Sequence, residues 1–251
     1  MSAPAWTPPL NLEERLKAAV VPPAWQRWYH VRRERRMGER ELHLVPLLAD
    51  RQRVSVDAGA NRGVWTEVLR RHSRGVCAFE PNPKMYAELR RCAHPDVRTF
   101  QYALSDRGGE ADLLVPQNDK GFSNQGASLS RARIGAGRFR ALTVEMRRLD
   151  DFDLGDVGFL KVDVEGHELA ALQGARETLR RCRPTLVVEI EERYHERGIA
   201  ALLAEVCELG YQAFALHRGT LRPAALLDLA ACHSRPASRA DYVFNWIFFP
   251  A

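Results

Sequence analysis

One stretch decides how this chain folds: VSVDAGANRG, residues 54–63. Its first half is a short apolar run, typical of a buried strand, that ends at the carboxylate of Asp57, and its second half leads through two glycines into a helical pattern. Gly59 permits a tight turn whose backbone N–H groups can approach a ligand, and Gly63 lets the helix pack near the strand. The turn predicts a ligand site at the carboxyl edge of a sheet. It leaves the ligand open, because nicotinamide, flavin and sulfonium cofactors all use such turns.

Outward from this stretch, short apolar runs alternate with helical patterns. The alternation continues to Tyr102, resumes at residues 159–163 and runs on to Leu216. It is typical of a parallel sheet with right-handed crossovers. Between about residues 105 and 150 the rhythm breaks, and an alternating run after Gly108-Gly109 predicts a β excursion there. The aromatic run at residues 242–249 needs a partner strand to cover it.

A second signal is A-F-E-P-N-P, residues 78–83. It places Glu80 at the end of the next predicted strand, where a carboxylate about 20 residues after the turn can accept hydrogen bonds from the ribose hydroxyls of an adenosine. Asp57 then discriminates between cofactors, because its charge would repel a diphosphate but suits the ammonium group of a methionine. The residues favour S-adenosylmethionine over a nicotinamide cofactor.

Five motifs in order resemble the FkbM family of methyltransferases. They are D-x-G-A-N-x-G at 57–63, F-E-P at 79–81, A-L-S-D at 103–106, L-K-x-D-V-E-G-x-E at 160–168 and R-P-x-x-x-x-E-I at 183–190. The resemblance implies an α/β fold with a Rossmann-like, seven-stranded, mostly parallel sheet whose last strand is antiparallel, with helices on both faces. The helical pattern of the first 50 residues separately predicts an N-terminal helical cap. It also implies S-adenosyl-L-methionine as cofactor and O-methylation of natural products, sugars or lipid-linked glycans.

The resemblance also implies roles for individual positions. The methionine end of the cofactor would be surrounded by Asp57, Gly59, Asn61 and Gly63. Glu80 would bind the ribose, Leu104 and Ser105 would border the adenine, and Asp163 would face the reacting methyl group.

Three side chains on the predicted carboxyl edge are candidates for the general base: Asp163, His167 and Glu189. A histidine that only begins a helix remains an alternative for His167. A divalent ion shared by Asp163 and Glu189 is a further alternative, but no ligand spacing supports it, so no metal ligand is predicted.

The chain is interpreted as an N-terminal helical extension, residues 1–50, followed by a class I methyltransferase domain, residues 51–251. An arginine cluster between residues 27 and 40 is interleaved with Trp25, Trp28 and Tyr29. We interpret it as a helix whose aromatic face packs on the domain, and a basic helix that meets an acidic partner or a membrane is the alternative. The N-terminal helices could also pair two copies into a homo-oligomer.

The charge is +5, with 37 Lys and Arg against 32 Asp and Glu. The basic residues are scattered, which is typical of a solvated surface, and no base-stacking motif such as N-P-P-Y occurs. We therefore expect a small-molecule or glycan acceptor and no nucleic acid. A nucleic-acid methyltransferase and a non-catalytic adenosine-binding protein remain the alternatives.

The five cysteines form no C-x-x-C pair, and no uncharged stretch is long enough to cross a bilayer. The sequence therefore predicts reduced thiols, no membrane span and a cytoplasmic location.

Overall fold

The protein was analysed as a computed structural model, which describes residues 6–9, 12–91, 94–119, 121–134 and 137–251. The strands are β1 (Val54–Ala58), β2 (Gly75–Phe79), β3 (Val97–Phe100), β4 (Ala103–Leu104), β5 (Gly109–Asn118), β6 (Gly121–Phe122), β7 (Phe139–Arg147), β8 (Val157–Val162), β9 (Thr185–Glu189), β10 (Tyr211–His217), β11 (Thr220–Pro223) and β12 (Asn245–Pro250). The helices are α1 (Leu12–Val20), α2 (Pro23–Met37), α3 (Val45–Leu48), α4 (Val64–Leu69), α5 (Pro83–Arg91), α6 (Arg131–Ile134), α7 (Glu168–Gln173), α8 (Arg176–Cys182) and α9 (Ile199–Cys207).

The main sheet has the strand order β11-β10-β12-β9-β8-β1-β2-β3. The β3-β2-β1-β8-β9 segment is parallel, and β12 runs antiparallel to both of its neighbours, β9 and β10. The expected mostly parallel sheet with an antiparallel last strand is confirmed. Trp246 and Phe248 are fully buried in β12, so the C-terminal aromatic run has the partner strands that it needs.

The predicted strand count of seven is wrong, because the described residues form a main sheet of eight strands. The additional strand, β11, pairs with β10 through a hairpin whose register joins His217 to Thr220. The two turn residues between them, Arg218 and Gly219, have φ of 51° and 77°. Positive φ at both positions is what a two-residue type I′ hairpin requires, and an arginine there gives little warning of it in a sequence.

Helices cover both faces of this sheet, as predicted. Alternate residues of one strand belong to opposite cores: Cys77 and Phe79 of β2 pack on one side, and Val76 and Ala78 on the other. The first core includes buried residues of α7, α8 and α9, and the second includes those of α3, α4 and α5. A strand that is apolar on both faces is the expected pattern for a parallel sheet between two helical layers.

The β excursion predicted between residues 105 and 150 is confirmed. It forms a second sheet of order β4-β7-β5-β6, in which β5 and β7 pair from Gly109 opposite Met146 to Pro116 opposite Phe139. Its own small core includes Leu113, Leu142 and Val144.

Helices α2 and α3 pack on the second core, in which Leu42 and Val45 are buried. The division of the chain at residue 50 stays a prediction. The aromatic residues of α2 differ from expectation, since Trp25, Trp28 and Tyr29 are 71%, 59% and 58% exposed. The buried residue of α2 is instead Arg27, and its guanidinium donates a hydrogen bond to the carbonyl of Leu89.

The cysteines and the helix lengths bear on two further expectations, reduced thiols and the absence of a membrane span. Cys77, Cys182, Cys207 and Cys232 are free thiols, and Cys92 lies outside the described residues. Across the part of the chain that the structure describes, every helix is too short or too polar to cross a membrane.

Candidate active site

A cavity of about 320 Å³ lies at the carboxyl edge of the main sheet, next to the ends of β1, β2 and β8. Pockets that bind small molecules and cofactors have volumes of this order or larger. Seven of the ten predicted site residues line it: Asp57, Gly59, Asn61, Glu80, Leu104, Asp163 and His167. The other three, Gly63, Ser105 and Glu189, do not belong to its lining.

The turn after β1 forms the wall of the cavity nearest to the strands. Gly59 has φ of +80°, and a Cβ atom there would lie 1.8 Å from the carbonyl oxygen of Asp163. The backbone N–H of Asp163 in turn donates to the carbonyl of Ala58, at 3.0 Å. Only glycine allows this approach, which brings together two motifs that are about 100 residues apart in the sequence.

Gly63 acts behind this wall. It has φ of +80° at the start of α4, and a Cβ atom would come within 2.7 Å of Leu89 Cδ1. The glycine therefore allows α4 to pack against α5, in line with the expected role in close packing. A direct contact of Gly63 with a cofactor stays a prediction.

Glu80 is held by backbone donors at the end of β2. Its Oε2 accepts the N–H of Asn61, and its Oε1 accepts the N–H of Asn82, both at 2.8 Å. The side chain is buried, and this burial raises the pKa of Glu80 to about 7. Each carboxylate oxygen can accept more than one hydrogen bond. The oriented carboxylate thus fits a ligand with adjacent hydroxyl groups, as an adenosine ribose has.

Asp57 is buried at the floor of the cavity. Thr66 donates its hydroxyl to Asp57 Oδ2. Burial raises the pKa of Asp57 to about 6, against the opposing effects of Thr66 and Lys161. A buried carboxylate with this pKa gains from a cationic ligand group, which would favour its charged form.

A buried lysine organises the acidic side of the cavity. Lys161 of β8 is fully buried, and its ammonium lies 2.9 Å from Asn245 Oδ1, 3.6 Å from Asp163 Oδ2 and 3.7 Å from Glu39 Oε2. Burial by itself lowers the pKa of Lys161, but the nearby carboxylates outweigh burial, so the net shift is upward. The lysine therefore stays charged and compensates the acidic groups around it.

Glu39 and Asn245 complete the cluster around the lysine. Glu39 Oε2 accepts hydrogen bonds from the indole N–H of Trp65, at 3.0 Å, and from the amide of Asn245, at 2.7 Å. Glu39 comes from the N-terminal helical extension and also lines the cavity. The extension is thus part of the site.

The negative charge of Asp163 acts on Glu189 across this cluster. Asp163 has a side chain that is 26% exposed, and burial raises its pKa against the opposing effect of Lys161. The pKa of Glu189 is raised well above the ordinary value by burial and by the negative charge of Asp163. Of these two carboxyl groups, only that of Asp163 reaches the cavity lining.

His167 is tied to Ser105 and not to a carboxylate. The Ser105 hydroxyl donates to Asp106 Oδ1 at 3.0 Å, and His167 Nε2 lies 2.9 Å from the Ser105 hydroxyl oxygen. Because the one hydroxyl proton goes to Asp106, we infer that His167 carries its proton on Nε2 and that Nδ1 is unprotonated. Burial lowers the pKa of His167, which favours this neutral form. Ser105 lies behind the cavity, and its contact with an adenine stays a prediction.

The turn between β8 and α7 is held by Glu168. Glu165 and Gly166 have positive φ values of 56° and 93°, and the N–H of Gly166 donates to Glu168 Oε1 at 2.8 Å. Glu168 is buried, which raises its pKa to about 7. This short motif therefore fixes the backbone between the two candidate bases, Asp163 and His167.

Lys161, Glu39 and Asn245 were not predicted as site residues. The sequence does give a signal for Lys161, because a lysine within the apolar run of a central strand is almost never buried without charged or polar partners. Glu39 and Asn245 carried none, since they contact the lysine only through the tertiary fold. Within the described ranges, no three side chains of His, Cys, Asp or Glu are grouped so as to hold a metal ion.

Comparisons with known proteins agree with this geometry. The family model described as the methyltransferase FkbM domain matches residues 57–213. The 2-O-methyltransferase NoeI of Sinorhizobium fredii (strain NBRC 101917 / NGR234) is 30% identical over 158 residues, which cover 56% of this chain and 64% of the relative. Methyltransferase sdnD of Sordaria araneosa is 30% identical over 157 residues, which cover 49% of this chain and 60% of the relative.

Both curated relatives are thus matched over less than two thirds of their own length. Among solved structures, the methyltransferase FkbM from Methylobacillus flagellatus KT aligns with a TM-score of 0.50 at 17% identity, over 80% of this chain and 44% of that one. At this identity the likeness concerns the fold alone.

Proposed function

This chain belongs to the FkbM methyltransferase family, and from that premise we propose that it methylates a hydroxyl group of a small molecule, sugar or glycan. The observation that carries the proposal is the convergence of the Gly59 turn, the Glu80 carboxylate and the Asp163 carboxylate on one cavity. The family is S-adenosylmethionine-dependent. The similarity to NoeI, a 2-O-methyltransferase, supports a hydroxyl acceptor.

The residues of the cavity fit the cofactor. Glu80 offers an oriented carboxylate to the ribose, and Asp57 offers a buried negative charge to the methionine ammonium group. Leu104 gives an apolar wall suited to the adenine. When bound, S-adenosylmethionine supplies a methyl group that is already activated on a sulfonium centre. The task left to the protein is to orient the acceptor oxygen and to remove its proton.

We assign the removal of that proton to Asp163. Its carboxylate lines the cavity, and burial raises its pKa, which makes it a stronger base than an ordinary aspartate. Lys161 keeps the carboxylate charged and fixed in direction. His167, with an unprotonated Nδ1 and a lowered pKa, is the second candidate. Glu189 does not line the cavity, so it would act on the reaction only indirectly.

The proposal is tested by transfer of an isotope-labelled methyl group from S-adenosylmethionine to a panel of sugars, glycans, hydroxylated natural products and RNA. We expect label in the hydroxylated small molecules or glycans, with a methyl ether identified by NMR. Label in RNA alone, or on nitrogen or carbon atoms alone, would contradict the proposed acceptor class.

A further inference from the structure

The solvent-facing side of α2 combines aromatic and cationic side chains. We call it the α2 face, and it consists of the exposed residues Trp25, Trp28, Tyr29, Arg32, Arg33, Arg35, Arg36 and Met37. The one acidic residue of the helix, Glu34, is half-buried on another side. A group of exposed aromatic side chains costs free energy in water, so this face is a candidate binding surface for a partner.

A basic groove runs beside the α2 face, between α2 and α4. This arginine groove is lined by residues that include Arg27, Trp28, Arg32, Arg35, Arg36, His43, Glu67, Arg70, Arg71, Arg91 and His94. Glu67 is the one acidic side chain in the lining. Although burial opposes it, the hydrogen bonds from Arg70 and Arg71 lower the pKa of Glu67, so the carboxylate stays charged. Glu67 pairs with Arg27, Arg70 and Arg71, but the seven arginines of the lining outnumber this one carboxylate, so the lining carries a net positive charge.

Arg27 is the buried member of the groove arginines. Its side chain is 6% exposed, and Nη1 lies 3.9 Å from Glu67 Oε2. The exposed arginines Arg32, Arg35 and Arg36 are therefore the ones that can reach an anionic ligand. Phosphate groups are the anions that arginines recognise best, because the guanidinium fork matches their oxygens.

We propose that the α2 face and the arginine groove dock the protein on an anionic phospholipid surface, with lipid phosphates as the ligands of the groove. The negative charge of the lipid surface complements the positive charge of the groove. Aromatic residues with arginines on one helix face are also typical of interfacial helices. Trp25 and Tyr29 lie outside the groove lining and project into solvent, where a bilayer interface accepts them.

The docking helix also contributes to the candidate active site. His30, Arg33 and Glu34 line the cavity, so docking through α2 holds the cavity next to the lipid surface. The choice of acceptor rests on the proposed function. If the protein methylates a hydroxyl group, docking at a lipid surface favours an acceptor that is carried on a lipid. The docking itself is independent of the reaction and can be measured without it.

The test uses the full chain and vesicles of phosphatidylcholine, with or without phosphatidylglycerol. We expect sedimentation with the anionic vesicles only, weaker at high salt, and a blue shift of tryptophan fluorescence. Arg32→Gln/Arg36→Gln should weaken vesicle binding by roughly 30-fold, since each basic residue near an anionic membrane contributes about a factor of five. Trp25→Phe/Trp28→Phe should keep the binding and lose the blue shift.

The matched control is Arg107→Gln/Arg180→Gln, which removes the same charge from two arginines that are 73% and 79% exposed elsewhere. Equal losses in the two arginine pairs would overturn the proposal, because they would show a response to net charge alone. Three other results would also overturn it: equal binding to both kinds of vesicle or to neither, tighter binding to a single-stranded oligonucleotide, and a stable dimer that covers the two tryptophans.

Discussion

Asp163→Asn is expected to lower the turnover number by about 10²- to 10⁴-fold, the typical cost of a lost general base. Asparagine keeps the size of the side chain and its contact with Lys161, but an amide cannot take up the proton of the acceptor. The dissociation constant for S-adenosylhomocysteine should change little, because Asp57 and Glu80 would still bind the cofactor. Steady-state kinetics and calorimetry on the same preparation separate the two effects.

Two comparisons sharpen this result. His167→Ala should be the milder change, because its imidazole is already engaged with Ser105. A chelator should leave the wild-type rate unchanged, since the proposed reaction uses no metal ion. Normal turnover in Asp163→Asn would remove Asp163 from catalysis, and a rate abolished by chelator would favour a divalent ion shared with Glu189.

Lys161→Met should lower the free energy of unfolding by roughly 3–5 kcal/mol, the usual cost of removing one partner of a buried ion pair. Methionine fills a similar length of side chain, so the loss is mainly electrostatic. Without the ammonium, the carboxylates of Glu39 and Asp163 have no cation within the cluster. Denaturant unfolding with an unchanged m-value measures the difference.

The pH dependence of this loss has a definite sign. The pKa values of Asp163 and Glu189 are already raised in the folded protein, and removal of the lysine would raise them further. Such groups bind protons more tightly when folded, so acidification stabilises the variant more than the wild type and the difference narrows as pH falls. Glu39→Gln in the same chain should restore part of the stability. A Lys161→Met variant with the same free energy of unfolding as the wild type at neutral pH would contradict this prediction. It would mean that the cluster carries no net negative charge for the lysine to compensate.

Much of the fold follows from local patterns in the sequence. The strand that ends at Asp57 and the one that ends at Asp163 are short apolar runs followed by turns, and such runs are visible without a structure. Gly59 was a reliable marker because its positive φ and close contact tolerate no side chain. The carboxyl edge of a parallel sheet then places Asp57, Glu80 and Asp163 near one another.

The rest depends on contacts between distant segments. Glu39, Lys161 and Asn245 meet only when the N-terminal extension, β8 and β12 come together, and no local pattern reports that meeting. The contact of Ser105 with an adenine stays a prediction, because its direction depends on the pairing of β4 with β7 and not on a local pattern. The sequence does not predict the orientation of α2 either, because arginine and tryptophan are both amphipathic and either side chain can face the core.

The central claim is that this cavity binds S-adenosylmethionine through Glu80, and calorimetry with S-adenosylhomocysteine tests it most directly. Ribose hydrogen bonds favour the charged form of Glu80, whose pKa is about 7. Wild-type affinity should therefore be in the micromolar range near pH 8 and weaken as pH falls to about 6. Glu80→Gln should bind at least about tenfold more weakly near pH 8, since a hydrogen bond to a charged group contributes about 1.5–3 kcal/mol, and should lose most of the pH dependence. A Glu80→Gln variant that binds as tightly as the wild type at both pH values would contradict the account.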